Sequence, residues 1–261
     1  MSSKRDILVI EDERSVSRAV EMVCDDAGMS VTAVDSATGA LEMLDRFRFR
    51  LALCDIMMQG MDGFQFLEEL SRKGLDLPVV MMTGFSTMEN AVKSLAMGAI
   101  DYIPKPFTAD ELLTVIRRSL RSGMLLEKAE AAGLERDRTV SFVPCPSEFY
   151  RLGCVSWVKL EDEGTARIGV SDLFLKAVDG VREFELSPVG EQLVQGLPCA
   201  FATSTDGSVH GIMCPMGGKV LEANEEALSN PLLVEKDPYF RGWLYRILPS
   251  NPDSNLRWLS S

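Results

Sequence analysis

Five side chains with acid, hydroxyl or amine groups stand directly after short aliphatic runs in the first half of the chain: Glu11, Asp12, Asp55, Thr83 and Lys105. Three carboxylates in one pocket repel one another unless a divalent cation lies among them, and such an oxygen cluster suits Mg²⁺. With its charge compensated, Asp55 can attack a phosphoryl group as a nucleophile. Thr83 and Lys105 can supply a hydroxyl and an ammonium to the phosphoryl oxygens. The set predicts a magnesium-dependent site that accepts a phosphoryl group.

The elements that must bring these residues together alternate between strands and helices from residue 6 to about residue 120. The predicted strands are Ile7–Ile10, Val31–Val34, Leu51–Cys54, Val79–Met82 and Tyr102–Ile103. This alternation is typical of βαβ units and predicts a doubly wound, five-stranded parallel sheet. Ligands of such sheets lie beyond the carboxyl ends of the strands. Each site residue alone also fits a solvated loop or a helix start, but all of them fall at the same end of one sheet.

The segment from about residue 5 to residue 120 resembles the receiver domain of two-component response regulators. The resemblance rests on motifs in the family's order: "ILVIEDE", "LALCDIMMQGMDGFQFLEEL", "PVVMMTG" and "GAIDYIPKPF". It implies that Asp55 accepts a phosphoryl group from the phosphohistidine of a histidine kinase or phosphotransfer protein. It also implies that Mg²⁺ is held by Glu11, Asp12, Asp55 and the backbone carbonyl of Met57.

The same resemblance assigns Thr83 and Tyr102 to a switch pair. In the family, the hydroxyl moves to the phosphoryl group and the aromatic ring turns inward into the vacated space, which changes the surface around the last two helices. An ordinary half-buried strand aromatic is the alternative for Tyr102. The resemblance further implies a cis Lys105–Pro106 peptide bond, which proline permits.

Three residues depart from the family's pattern. Gln59 stands where a proline is common. Met57 and Phe85 lie two residues beyond Asp55 and Thr83, where the family often has polar groups that help to position water. Because water must be oriented in line to react, we predict slow hydrolysis of the aspartyl phosphate.

A predicted helix continues after Thr108 to about Leu134 and connects the two halves of the chain. Its outer part is rich in Ala, Glu, Lys and Arg, so a lever, a short dimer seam and a solvated single helix all stay open. We expect its three arginines to be solvated or paired with acids rather than bound to DNA: Arg117, Arg118 and Arg121. Pro144 and Pro146 break any helix. The predicted domains are a receiver (1–122), a helical connector (123–143) and a second domain (144–261).

The second domain has the pattern of an all-β barrel or sandwich. Short strand runs are separated by turn dipeptides at Asp179-Gly180, Asp206-Gly207 and Gly217-Gly218. Two helical pieces interrupt the strands, at residues 171–178 and 225–228. The segment from about residue 155 to residue 250 resembles the H protein of the glycine cleavage system, a lipoyl-domain-like hybrid barrel. The resemblance rests on "WVKLEDEGTARIGVSD", "ELSPVGEQLVQGLPCA" and "PMGGKVLEANEEALSNPLLVEKDPYFRGWLYRILP".

In that family a lysine at a hairpin tip carries a lipoyl arm, and its place falls on Gly207 here. Gly207 has no amine, so no amide to lipoate can form at this position and we expect no lipoate cofactor. Lys219 and Lys176 are the nearest lysines, but they belong to the following strand and to a helix. We therefore expect the domain to act as a docking surface for a protein partner. The alternative is a regulatory or carrier component of lipoate-linked one-carbon metabolism.

Charge and composition disfavour several other functions. A net charge of −12 repels phosphate backbones, so we expect no nucleic-acid partner. The sequence after the connector shows no helix-turn-helix pattern, which disfavours a transcription factor. The first apolar run is too short for a signal peptide or a membrane span, which favours a cytoplasmic protein without a membrane partner. We expect a signalling protein rather than an enzyme, beyond slow hydrolysis of its own aspartyl phosphate. A homodimer through the receiver or the connector helix is compatible with the sequence.

The six cysteines include no CxxC pair and are expected to be free thiols. The alternative is a redox or metal sensor formed by Cys199, Cys214 and His210 beside the hairpin tip, which their closeness in sequence suggests.

Overall fold

The structure is a computed structural model of the 261-residue chain, and it describes residues 5–84, 88–135 and 142–260. The chain separates into two compact units. The first contains the described residues up to 84 together with residues 97–123, and the second contains residues 88–96 together with those from Met124 onward. No described helix has both the length and the apolar character needed to cross a membrane.

The first unit is built on a parallel five-stranded sheet with the strand order β2-β1-β3-β4-β5. Its strands are β1 (Arg5–Ile10), β2 (Val31–Val34), β3 (Phe49–Asp55), β4 (Val79–Thr83) and β5 (Asp101–Pro104). The helices along this part of the chain are α1 (Arg14–Asp26), α2 (Ala37–Arg46), α3 (Gly63–Lys73), α4 (Met88–Ala96) and α5 (Ala109–Glu135). The predicted doubly wound sheet and its five strands are confirmed.

Continuous aliphatic sequence explains why β1, β3 and β4 lie at the centre of this sheet. Residues 7–10, 51–54 and 79–82 are buried throughout, as expected for parallel strands covered on both faces. The helix after β3 begins at Asp62, whose side chain accepts a hydrogen bond from the Gln65 backbone while Gln65 bonds back to the Asp62 backbone. It ends at Gly74 in the left-handed conformation, with φ of 62°. These caps define the two ends of α3, the helix that follows β3 along the chain.

The predicted helix after Thr108 is present as α5, which runs without interruption to Glu135. Thr108 and Glu111 cap its start through reciprocal bonds between side chain and backbone. Arg118 is buried in the first unit, where its Nη2 lies 2.7 Å from Asp101 Oδ2. This arginine is therefore paired with an acid, as expected. Arg117 is exposed.

The second unit contains the predicted all-β domain, folded as two antiparallel sheets. A six-stranded sheet has the order β10-β13-β14-β8-β7-β6 and a three-stranded sheet has the order β12-β11-β9. The strands are β6 (Tyr150–Leu152), β7 (Ser156–Leu160), β8 (Ala166–Val170), β9 (Val181–Leu186), β10 (Gln192–Leu193), β11 (Pro198–Ser204), β12 (Val209–Met213), β13 (Gly218–Ala223) and β14 (Trp243–Pro249). One apolar cluster between the sheets includes Ile168, Phe184, Ile212 and Leu244.

Four short helices interrupt these sheets: α6 (Asp172–Val178), α7 (Glu225–Ser229), α8 (Pro231–Lys236) and α9 (Pro252–Leu256). The first two match the predicted helical pieces. The other two are not predicted, because five or six residues are too few to show a helical period. Both begin with a proline in the first turn, which the fixed φ of proline favours.

Candidate functional site: an acceptor pocket and a hairpin tip

The acidic residues predicted to converge do so at the carboxyl end of the parallel sheet. Glu11 follows β1, and Asp55 is the last residue of the neighbouring β3. One carboxylate oxygen from each of Glu11, Asp12 and Asp55 lies within 4.8 Å of the other two. We call these three residues, with Thr83 and Lys105, the acceptor pocket.

Lys105 contacts two of the three acids. Its Nζ lies 2.5 Å from Glu11 Oε2 and 3.1 Å from Asp55 Oδ2. The backbone places it there, because the Lys105 amide donates to the Thr83 carbonyl at 2.7 Å, at the end of β4. The Lys105–Pro106 peptide bond is cis, as the receiver resemblance implied. The pocket therefore brings an ammonium into direct contact with the residue that would receive a phosphoryl group.

Asp55 keeps one oxygen uncommitted. The residue is 6% exposed, and its Oδ1 has no hydrogen-bond partner among the described residues. A buried carboxylate oxygen without a partner is costly, and a hard divalent cation would satisfy it. The three clustered carboxylates are the donor type that Mg²⁺ prefers, so the residues present fit the predicted magnesium site.

Burial also affects the protonation of the pocket. It raises the pKa of the Glu11 carboxyl above its ordinary value, while the Lys105 ammonium partly opposes this change. Glu11 Oε1 also accepts a hydrogen bond from the Glu13 amide at 3.3 Å. The lysine thus stabilises the charged form of a carboxylate that lies away from water.

The loop after Asp55 is held by its backbone. The Ile56 amide donates to Met82 O, and the Gly63 amide donates to Ile56 O, both at 3.0 Å. A Cβ atom at Gly63 would lie 2.4 Å from the Asp55 carbonyl oxygen, so only glycine fits at this close approach. Met57 points to solvent with 57% of its surface exposed. Phe85, the second apolar neighbour in the hydrolysis prediction, lies outside the described residues.

The two residues assigned to the switch are both buried. Thr83 is the last residue of β4, and Tyr102 lies on the adjacent β5. Tyr102 is 6% exposed, so it is more deeply buried than the half-buried alternative supposed. Its hydroxyl has no hydrogen-bond partner among the described residues, and burial raises the pKa of this phenol. The ring is therefore buried, and no hydrogen bond from the described part of the chain holds its hydroxyl in place.

In the second unit, the hairpin between β11 and β12 carries Gly207 at its tip, with φ of 87°. The Asp206 carboxylate accepts hydrogen bonds from Ser204 Oγ at 2.6 Å and from the Ser208 amide at 3.0 Å. These bonds lower the pKa of Asp206 to about 2. Lys176 lies on α6 and Lys219 on β13, so neither occupies the tip.

The residues of the sensor alternative are all buried, with Cys199 on β11, His210 on β12 and Cys214 directly after β12. The Cys199 thiol donates to Ile212 O and the Cys214 thiol to Met216 O. His210 Nε2 lies 3.2 Å from Ser204 Oγ. Within the described ranges, the one metal-ligating cluster is the acidic cluster of the first unit, so the structure provides no metal site for this alternative.

Of the contacts at these sites that sequence analysis missed, some have a signal in the sequence and others have none. The motifs place Lys105 at the pocket, but its contact with Glu11 depends on side-chain geometry. The bonds of Asp206 at the tip are signalled by the Ser-x-Asp-x-Ser spacing of residues 204–208, since Asp and Ser side chains commonly bond to nearby backbone in turns.

Two protein-family models match the chain. Residues 7–117 match the response regulator receiver domain. Residues 149–261 match the glycine cleavage H-protein.

Individual proteins show the same two likenesses. The chain is 31% identical over 131 residues to the transcriptional regulatory protein FixJ of Bradyrhizobium diazoefficiens, a match that covers 50% of this chain and 64% of FixJ. The chain therefore spans less than two thirds of that relative. The crystal structure of the receiver domain of NtrX from Brucella abortus is 38% identical, with 44% of this chain and 98% of that one covered and a TM-score of 0.42. The crystal structure of a glycine cleavage system H protein from Mycobacterium marinum is 27% identical, with 40% and 86% covered and a TM-score of 0.38.

The family match of residues 7–117 includes every residue of the acceptor pocket, and that of residues 149–261 includes the hairpin tip. The chain therefore contains a response regulator receiver domain at residues 7–117, joined to a domain at residues 149–261 that matches the glycine cleavage H-protein.

Proposed function

We propose that Asp55 accepts a phosphoryl group from the phosphohistidine of a histidine kinase or phosphotransfer protein, and that the resulting change is relayed to an H-protein-like domain that binds a protein partner. The observation that carries this proposal is the state of Asp55. Its Oδ2 contacts Lys105, whereas the buried Oδ1 has no partner among the described residues. One oxygen of this carboxylate can serve the predicted magnesium site, and the other can attack the phosphoryl group once Lys105 turns from Asp55 to the incoming phosphoryl oxygens.

The leaving group in this transfer is the imidazole of the phosphohistidine. The attacking Asp55 oxygen forms a bond to phosphorus as the phosphorus–nitrogen bond of the phosphohistidine breaks, and the released imidazole keeps the electron pair and takes up a proton. The product is an aspartyl phosphate. Lys105 and Thr83 would then bind the phosphoryl oxygens, which moves the lysine contact from a carboxylate to a phosphoryl group.

Glu11, Asp12, Asp55 and the Met57 carbonyl would hold Mg²⁺, which when bound neutralises charge that develops on the transferring group. Residues of the chain itself position Asp55 in the pocket. Gly63 allows α3 to approach the Asp55 backbone closely, and the carboxyl end of β3 directs Asp55 into the pocket.

The signal would leave the pocket through Thr83 and Tyr102. Movement of the Thr83 hydroxyl towards the phosphoryl group changes the space beside Tyr102. Because the Tyr102 hydroxyl has no partner in the described part of the chain, no hydrogen bond opposes movement of the ring. Phosphorylation would then change the population of two ring positions and the partner surface with it.

The second domain fits a binding role better than a carrier role, since Gly207 offers no amine at the tip. We propose that it carries no lipoate and that the protein acts in the cytoplasm without a nucleic-acid or membrane partner. A homodimer through the receiver or the connector helix, and the predicted domain boundaries, also stay proposals. Intact mass after expression with lipoate tests the carrier alternative, which requires added lipoyl mass.

Affinity capture with the full chain tests the relay. Wild type and Asp55→Ala are compared with and without a phosphoryl donor such as acetyl phosphate. We expect wild type to capture a protein in an amount that changes when the donor is added. The amount captured by Asp55→Ala should not change, because the variant has no acceptor carboxylate. Capture that never responds to the donor would contradict the relay, and captured lipoate-handling enzymes would support the alternative.

A further inference from the structure

The edge strand β12 differs from the other sheet edges of its domain. Exposed edges attract extended chains, and proteins usually protect them by shortness, charge, proline or a bulge. β10 has two residues and β6 has three, while β9 carries Arg182, Glu183 and Glu185 and a register shift opposite Thr203 and Ser204. β12 has five residues with the sequence VHGIM, without a proline, lysine or acid. At its end, Met213 O accepts a hydrogen bond from Ser156 Oγ of β7 at 2.6 Å, so the open part of this edge is residues 209–212. By length and sequence, that part is the least protected edge among the described strands of this domain.

An apolar surface adjoins this edge on the outer side of the three-stranded sheet. Phe201 is 41% exposed and Val209 is 57% exposed. Gly211 lies opposite Phe201, and a Cβ atom built at Gly211 would lie 3.6 Å from Pro198 and 3.7 Å from the Phe201 ring. The glycine therefore leaves a shallow depression between two apolar side chains. We call Pro198, Phe201, Val209 and Gly211 the hairpin face.

Two carboxylates border the hairpin face. Glu185 pairs with Phe201 across β9 and β11, and Glu183 pairs with Thr203. Directly paired residues of neighbouring strands share a face of the sheet, so both glutamates lie on the side that carries Phe201. Both are exposed. A ligand of this surface would meet apolar groups near β12 and negative charge near β9.

The tip of the hairpin is ordered by its own hydrogen bonds. The Ser204 amide donates to Ser208 O at 2.9 Å, and Asp206 accepts from both serines. Thr205 also donates through its amide to Gly180 O at 3.1 Å. A fixed hairpin reduces the ordering that a ligand would have to supply on binding.

From these observations we infer that the hairpin face and β12 bind an extended segment of a partner protein in which apolar residues alternate with lysine or arginine. The segment would add a strand beside β12, place an apolar side chain in the depression at Gly211 and direct basic side chains towards Glu183 and Glu185. The inference rests on the proposed function, because it names the surface and the partner chemistry of the same output domain.

The test uses the full chain and two soluble peptides, one alternating valine with lysine and one alternating valine with glutamate. We expect wild type to bind the lysine peptide at least about tenfold more tightly, as measured by isothermal titration calorimetry. Phe201→Ser should weaken that binding about tenfold. The double variant Glu183→Lys, Glu185→Lys should reverse the preference between the peptides.

Matched controls separate this surface from the general negative charge of the protein. Asp162→Lys with Glu163→Lys makes the same change in net charge at an exposed turn, and Leu248→Ser removes an exposed apolar side chain from the six-stranded sheet. Neither should change the affinity by more than about twofold. Equal effects of the two charge variants, or no binding of either peptide, would overturn the inference.

Two further outcomes keep the inference distinct from the proposed function. If the chain associates with itself and Phe201→Ser abolishes that association, the occupant is a second copy and the inferred partner is wrong. If donor-dependent capture persists unchanged in Phe201→Ser, the relay stands while the inferred surface fails.

Discussion

Lys105 Nζ lies 2.5 Å from Glu11 Oε2, so the ammonium that would bind a phosphoryl group is already paired with a buried carboxylate of the acceptor pocket. This contact places a positive charge where a magnesium ion would also act. Lys105 and the metal ion would therefore compete for interaction with the same carboxylates.

Replacement of this lysine should favour the metal. We expect Lys105→Met to bind Mg²⁺ about three- to tenfold more tightly than wild type, because removing a nearby positive charge lowers the repulsion felt by the cation. The phosphorylated yield should fall, since the phosphoryl oxygens lose their ammonium. Calorimetric titration with Mg²⁺ measures the affinity, and Lys73→Met, an exposed lysine on α3, is the control. Weaker Mg²⁺ binding in Lys105→Met would contradict the competition.

The close approach at Gly63 should make this position intolerant of a methyl group. A Cβ atom there would lie 2.4 Å from the Asp55 carbonyl oxygen, so Gly63→Ala must displace α3 or the end of β3. We expect a loss of about 2 kcal/mol or more in the free energy of unfolding and poor phosphorylation of Asp55. Urea denaturation checks the stability. Gly211→Ala, whose added carbon has only ordinary contacts, should stay within about 1 kcal/mol of wild type.

The exposed Met57 side chain should slow the loss of the phosphoryl group. It offers no hydrogen bond to orient an attacking water, so we expect an aspartyl-phosphate lifetime of minutes or longer in Mg²⁺, and about tenfold faster hydrolysis in Met57→Asn. The decay of radiolabel on the isolated phosphoprotein measures both. Met22→Asn, at an exposed site on α1, controls for surface polarity. A wild-type lifetime of seconds would contradict the explanation.

The buried phenol of Tyr239 should make the stability of the protein depend on pH in the alkaline range. Burial raises its pKa from 10.0 to about 12, while its hydroxyl donates to Val143 O at 2.9 Å and accepts from the Asp172 amide. The unfolded chain ionises at the lower pKa, so this stabilisation is complete below pH 10 and is lost as the pH rises towards 12.

Tyr239→Phe should therefore be less stable than wild type at neutral pH, by about 1–2 kcal/mol. The difference between the two proteins should narrow between pH 10 and pH 12. Urea denaturation across this range measures it. A constant difference over the whole range would show that the phenol does not titrate as its burial requires.

The sequence predicts the receiver sheet well because its central strands are uninterrupted aliphatic runs, and the polar residues that follow them can meet only at one end of a parallel sheet. It predicts less of what depends on individual side chains. The contact between Lys105 and Glu11, the buried position of Tyr102 and the particular acid that pairs with Arg118 are set by packing across elements. The helices α8 and α9 have only six and five residues, which is too short for a helical period to show in the sequence.

The central claim is that the phosphoryl group goes to Asp55, and its most direct test is the position of a radiolabel. The full chain is incubated with a labelled phosphohistidine donor in Mg²⁺ and then digested and sequenced. We predict label on the peptide containing Asp55, loss of label in Asp55→Asn or on removal of Mg²⁺, and normal label in Asp35→Asn, an acid that follows the neighbouring strand β2. Label on another residue, or label that persists in Asp55→Asn, would contradict the account.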